Sequence, residues 1–88
     1  MLVINVNNGN VKTVNKKDFI LSWSHNDDYS EALENAADCG FYAFPNKKAA
    51  VEWLLTDIPY YLDFSPERCK RLYKALTSLL GFQVLEVK

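Results

Sequence analysis

Residues 41–59 have the sequence FYAFPNKKAAVEWLLTDIP, in which a strand signal is followed directly by a helix signal. The apolar run Phe41–Phe44 is typical of a short β-strand, and Pro45 ends it. Asn46 is a favourable N-cap for a helix that Pro59 is predicted to end. The apolar residues of this helix recur at the 3.6-residue period of an amphipathic helix. Those predicted to face inward are Ala50, Val51, Leu54, Leu55 and Ile58.

A β-hairpin is predicted before this stretch, at the N-terminus. Two short apolar runs, residues 2–6 and 11–14, flank the dipeptide Asn8-Gly9. That dipeptide is typical of a two-residue type I′ turn, because both central residues of such a turn need a positive φ. The two runs are therefore expected to pair as antiparallel strands.

Three more helices and one more strand are predicted around these elements. Asn15 is predicted to begin the first of these helices. Asp27 or Asp28 is predicted to begin the second, and Gly40 to end it. The last is predicted to begin at Ser65 and Pro66 and to end at Gly81. Residues 82–87 are apolar enough to form a final strand. The predicted order is ββααβααβ, a single α+β domain over residues 1–88. The simplest arrangement is a three- or four-stranded sheet packed on one face by the helices.

The composition argues against several classes of protein. The formal net charge of −1 does not favour a dedicated nucleic-acid binder, whose affinity comes from releasing many counterions. No apolar run approaches the roughly 20 residues of a membrane span, and the N-terminus has no signal-peptide pattern. We therefore expect a cytoplasmic protein that does not bind a membrane. In that setting Cys39 and Cys69 are predicted to be free, buried thiols.

No motif predicts catalysis, a metal or a cofactor. The sequence contains no GxGxxG, GxxxxGK[ST], HExxH, GxSxG or CxxC pattern. His25 is the one histidine, and it lies in a polar segment before Asp27 and Asp28. A catalytic or metal-binding role for these residues would need a further converging group, which no pattern marks. We therefore expect a protein that is not an enzyme.

Charged residues are separated into an acidic and a basic segment. Residues 27–38 contain five acids and no base, whereas residues 67–74 contain four bases and one acid. At about 100° per residue, most of each set lies away from the apolar side of its helix. We name the two sets the acidic ridge and the basic face. The acidic ridge consists of Asp27, Glu31, Glu34 and Asp38, and the basic face consists of Arg68, Lys70, Arg71 and Lys74.

Aromatic residues mark a further candidate surface. Trp53 lies about 130° from the centre of the inward side of its helix, so it either lies under another element or is presented to a partner. Tyr60 and Tyr61 follow the helix and raise the same question.

These observations favour a non-enzymatic protein-interaction module. It would bind a basic surface of a larger protein through the acidic ridge and the neighbouring aromatic residues. In size and charge pattern the chain resembles small inhibitors and regulators encoded by phages and mobile elements, such as anti-CRISPR-like proteins, although the resemblance covers no motif. The alternative function is weak nucleic-acid binding through the basic face. For both charged surfaces, a merely solvated helix face is the simpler interpretation.

Overall fold

The computed structural model describes residues 1–63 and 65–81 of the chain. The α+β class and the order of the first seven elements are as predicted. The predicted strand at residues 82–87 lies outside the described residues. The elements are β1 Leu2–Asn5, β2 Asn10–Thr13, α1 Lys16–Trp23, α2 Tyr29–Asp38, β3 Phe41–Phe44, α3 Lys47–Tyr61 and α4 Pro66–Leu80.

The three described strands form one antiparallel sheet in the order β2-β1-β3. At one end of β1, Leu2 is paired with Thr13 and with Phe44. At its other end, Asn5 is paired with Asn10 and Phe41. The most apolar of the N-terminal segments is thus the central strand, with a neighbour on each side.

Helices cover both faces of the sheet, whereas we predicted them on one face. Neighbouring residues of a strand point to opposite faces, and Val3 and Ile4 are both buried. Because β1 is apolar on both sides, each side of the sheet needs its own cover. The core beneath α3 and α4 contains Ile4, Val6, Ala50, Leu54, Ile58, Cys69, Leu72, Ala75, Leu76 and Leu79. The smaller core beneath α1 and α2 contains Val3, Phe19, Ala32 and Ala36.

The hairpin loop is longer than the predicted two-residue turn. Asn5 pairs with Asn10, so residues 6–9 form a four-residue loop, closed by the Gly9 N–H donating to the Asn5 carbonyl at 2.7 Å. Gly9 alone in this loop has a positive φ, of 77°. Val6 begins this loop and, like Ile4 two residues earlier, lies in the core beneath α3 and α4.

Helix α3 continues past Pro59, which we predicted to end it. A proline in a helix removes the hydrogen bond to the carbonyl four residues earlier, here that of Leu55. Both Leu55 and Pro59 are exposed, so water can hydrogen-bond this carbonyl. Tyr60 and Tyr61 therefore lie on the last turn of α3 and not in a connector.

Three predicted helix caps are confirmed. Asn15, Asp28 and Asn46 each accept a hydrogen bond from a backbone N–H of the following first turn, at 2.8 to 2.9 Å. Ser65 precedes α4 but makes no side-chain capping bond. At this helix the start is supported by Pro66 at the first position instead.

The two cysteines are free thiols in different surroundings. Cys69 is buried as predicted, and its Sγ donates to the Ile58 carbonyl at 3.1 Å. Cys39 is exposed, which corrects the prediction of two buried thiols. It caps the end of α2, where the chain turns towards β3, and so lies outside both cores.

Candidate functional site

Three members of the acidic ridge are exposed carboxylates. Asp27 lies just before α2, while Glu34 and Asp38 lie on the helix itself. Within residues 1–63 and 65–81 the one ion pair joins Lys70 and Glu67, so these three acids have no cationic partner there. They present a surface of one sign to solvent.

Glu31, the fourth member of the acidic ridge, is bound to the turn that precedes α2. Its carboxylate accepts a hydrogen bond from the Ser24 hydroxyl at 2.8 Å and one from the His25 backbone N–H at 3.3 Å. The Asn26 side-chain amide donates a third, at 3.2 Å. Glu31 therefore acts first as a structural acceptor and is not a free carboxylate of the ridge.

The turn between α1 and α2 positions Asp27 at the start of the ridge. The buried Ser24 hydroxyl accepts from the backbone N–H groups of Asn26 and Asp28, both at 3.1 Å. Asp27 has φ 57°, a left-handed conformation that aspartate tolerates better than most residues. It is the one non-glycine residue with a positive φ in the described part of the chain.

We expect Glu31→Gln to make the stability of the protein less sensitive to acid. The Ser24 hydroxyl, assisted by the amide donors and partly opposed by desolvation, lowers the pKa of the Glu31 carboxyl from its ordinary value of 4.5. A lowered folded-state pKa contributes stability above the unfolded pKa, and this contribution is lost as the pH falls through the folded pKa. The urea midpoint should therefore fall less in the variant than in the wild type between about pH 6 and about pH 3.

Glu34→Gln is the matched control for this prediction, because Glu34 is one turn away on the same helix and makes no such contacts. Its urea midpoint should follow that of the wild type with pH. The same change in acid sensitivity in both variants would contradict the role given to Glu31.

Two members of the basic face hold α4 against the hairpin loop. The Arg71 Nε donates to the Val6 carbonyl at 2.8 Å. The Lys74 Nζ donates to the Asn8 carbonyl and to the Asn10 Oδ1, both at 3.1 Å. These charge-assisted bonds are structural contacts, and they reduce the number of cations available to phosphates.

The other two members of the basic face contact side chains at the start of α4 and at the end of α3. Lys70 lies 3.7 Å from the Glu67 carboxylate, with both side chains exposed. The Arg68 guanidinium lies over the Tyr61 ring, 4.2 Å from its centroid. Nucleic-acid binding through the basic face stays a prediction.

Trp53 packs against another element, and its role as a partner-binding residue stays a prediction. Its ring stacks on Tyr42 with centroids 5.1 Å apart, and it contacts Phe44 at 5.3 Å. Both partners belong to β3, so the tryptophan fixes α3 against the edge of the sheet. Tyr60 and Tyr61 make an edge-to-face contact at 5.0 Å on the last turn of α3.

His25 is an exposed residue of the α1–α2 turn. In the described ranges, no group of three or more histidine, cysteine and acidic residues could hold a metal ion. A cleft of about 620 Å³ lies between the hairpin and α1, and its lining includes Lys12, Asp18 and Trp23 but not His25. The structure does not bring His25 together with this cleft.

One feature of α3 differs from the predicted helix pattern. Leu55 was predicted to face inward but is 58% exposed, and Leu62, just after the helix, is 59% exposed. The sequence contains a signal for this exposure, because apolar residues occur on more than one side of α3. A single inward side cannot include all of them.

Comparisons with protein-family models, with curated proteins and with solved structures find no match to this chain. No helix among residues 1–63 and 65–81 combines the length and the hydrophobicity needed to cross a bilayer.

Proposed function

We propose that this chain is a non-enzymatic protein-interaction module that binds a basic surface of a larger protein through the outer face of α2. The observation that carries the proposal is the set of exposed carboxylates Asp27, Glu34 and Asp38. None of them has a cationic partner within the described residues.

The electrostatics of α2 alone do not favour this arrangement. Asp38 ends the helix, where the helix dipole disfavours a negative charge, and the last turn contains no base. Glu34 and Asp38 are also four residues apart, a spacing at which like charges repel on a helix. A basic partner would remove both unfavourable terms and would be attracted over a distance by the same charges.

Glu31 serves this surface indirectly. By accepting hydrogen bonds from the turn before α2, its carboxylate fixes the position of Asp27 relative to the helix. The surface proposed to contact the partner therefore contains three of the four acids of the ridge. Trp53 is not part of it, because its ring packs on β3.

A small domain of this kind would act by occupying the basic surface of its partner. That mode of action needs no cofactor and no catalytic group, and it suits an inhibitor or regulator of phage or mobile-element origin acting in the cytoplasm. The basic surface of the partner would itself be a functional one, such as a site for nucleic acid.

The test is capture of partners from host lysate with tagged protein, followed by affinity measurement on the purified partner. The double variant Glu34→Lys/Asp38→Lys should weaken binding at least about tenfold at low salt, because it replaces two attractions with repulsions. Its thermal midpoint should stay close to that of the wild type, since neither side chain makes a hydrogen bond to another described residue.

The control variant is Glu52→Lys/Glu67→Lys, which changes the net charge by the same amount on α3 and α4. It should bind the partner about as well as the wild type. Equal affinity of the wild type and the α2 variant would contradict the proposal. If both variants weakened binding equally, the effect would come from net charge alone, and this result would also contradict the proposal.

A further inference from the structure

An apolar strip, most of it exposed, runs along one side of α3, next to the side that faces the core. At about 100° per residue, Val51, Leu55, Pro59 and Leu62 fall within a narrow sector of this side. Leu55 is 58% and Leu62 is 59% exposed, and Pro59 is also exposed. We name these four residues the α3 strip. Its centre lies about 95° around the helix from the side that contributes Ala50, Leu54 and Ile58 to the core, and Val51, at its inner edge, packs against that core.

The two ends of the α3 strip carry opposite charges. Lys48 lies in the first turn, in the same sector, and no acid accompanies it in that turn. Asp63 is exposed just beyond the other end, and the last turn of α3 contains no base. Each charge is at the end of the helix where the helix dipole disfavours it.

We infer that the α3 strip is the interface of a homodimer, in which two copies of α3 pack antiparallel about a two-fold axis. A two-fold interface uses the same patch on both subunits, so the patch must be complementary to itself. With the axis near Leu55, Val51 lies opposite the partner's Pro59, and Lys48 lies opposite the partner's Leu62, next to the partner's Asp63. The apolar residues and the charges are thus matched by one operation.

The charge pattern selects a second copy of the chain and its orientation. Antiparallel packing places Lys48 near the negative end of the partner's helix and Asp63 near the positive end, which reverses both unfavourable placements. A parallel arrangement would place Lys48 against the partner's Lys48. The acids of α2 lie outside the α3 strip, so this inference is independent of the proposed function.

The dimer is expected to be weak, because one pair of helix faces buries less than a standard interface of about 1,600 Å². We expect a dissociation constant of about 10 to 100 µM. Sedimentation velocity over a range of concentrations that includes these values should show a monomer–dimer equilibrium. A chain that stays monomeric up to about 1 mM would overturn the inference.

Leu55→Asp should weaken dimerisation at least about thirtyfold, because it places two carboxylates beside the two-fold axis in an apolar contact. Leu21→Asp is the matched control, since Leu21 is 62% exposed on α1, away from the α3 strip. That variant should dimerise within about twofold of the wild type. An effect of Leu21→Asp as large as that of Leu55→Asp would overturn the inference.

A mixing experiment tests the orientation without removing any apolar contact. In Lys48→Glu, both charge pairs of the homodimer become repulsive, and the same holds for Asp63→Lys. Each variant alone should dimerise about tenfold more weakly than the wild type at low salt. An equimolar mixture should recover dimerisation, because the new carboxylate of one chain then faces the new ammonium of the other.

Circular dichroism and thermal unfolding of each variant verify that the fold is retained, as expected for substitutions at exposed positions. A mixture that associates no better than the separate variants would overturn the antiparallel arrangement.

Discussion

Gly9→Ala is expected to lower the free energy of unfolding by about 3 kcal/mol, a large share of the stability of a domain this small. Gly9 is buried where the hairpin loop meets α4, and its φ is 77°. A Cβ at this position would lie 2.5 Å from the Arg71 carbonyl oxygen and 3.1 Å from the Lys74 Cβ. Because the first of these atoms belongs to the backbone of a packed helix, α4 would have to move away from the loop.

That movement would also weaken the bonds that attach α4 to the loop. The Arg71 guanidinium and the Lys74 ammonium both donate to loop residues, so a displaced helix would lose part of these contacts. The left-handed φ adds about 1 kcal/mol for alanine relative to glycine. The steric term and the conformational term therefore both lower the free energy of unfolding of this variant.

Gly81→Ala separates the two terms. Gly81 has nearly the same φ, 76°, but no atom of residues 1–63 or 65–81 lies within 4 Å of a Cβ built there. This variant should lose only the conformational term of about 1 kcal/mol. Urea unfolding of both variants provides the comparison, and equal losses would show that the contact with α4 contributes nothing.

Leu54→Ala is expected to cost about 2–5 kcal/mol, the range for truncating a fully buried leucine. Leu54 has no exposed surface and lies in the core beneath α3 and α4. Ile4 and Leu72 are fully buried in the same core, so the cavity left by the truncation would be enclosed by side chains from β1 and α4.

Leu55→Ala is the control one residue further along the same helix. The chemical change and the helix propensity are identical, but Leu55 is 58% exposed, so the loss should be below about 0.5 kcal/mol. Unfolding should be measured at low protein concentration, where the α3 strip is unoccupied. A loss as large as that of Leu54→Ala would mean that Leu55 is buried.

The local elements of this fold could be predicted because their signals act over a few residues. An asparagine or aspartate at a helix start binds a backbone N–H two or three residues later, as Asn15, Asp28 and Asn46 do. The prediction that α3 ends at Pro59 was wrong, because the effect of a proline in a helix is not set by its near neighbours alone. The free-energy cost of the proline depends on whether solvent reaches the Leu55 carbonyl, and this depends on how the helix packs.

The candidate site could be predicted only in part. The segregation of acids to α2 follows from the spacing along one helix, and the structure exposes Asp27, Glu34 and Asp38 as that spacing indicates. The hydrogen bonds to Glu31 come from Ser24, His25 and Asn26, whose position depends on the geometry of the turn before α2. No periodic pattern contains that information.

Composition and periodicity determined the α+β class, the element order, most helix ends and the two charged segments, because each depends on neighbours within about two helical turns. The tertiary structure decided which charges remain free. Arg71 and Lys74 bind groups of the hairpin 64 to 66 residues earlier in the chain, and Trp53 packs on β3. Such contacts form only when distant segments pack together, so the same side chains that suggest a binding surface in the sequence can become structural in the fold.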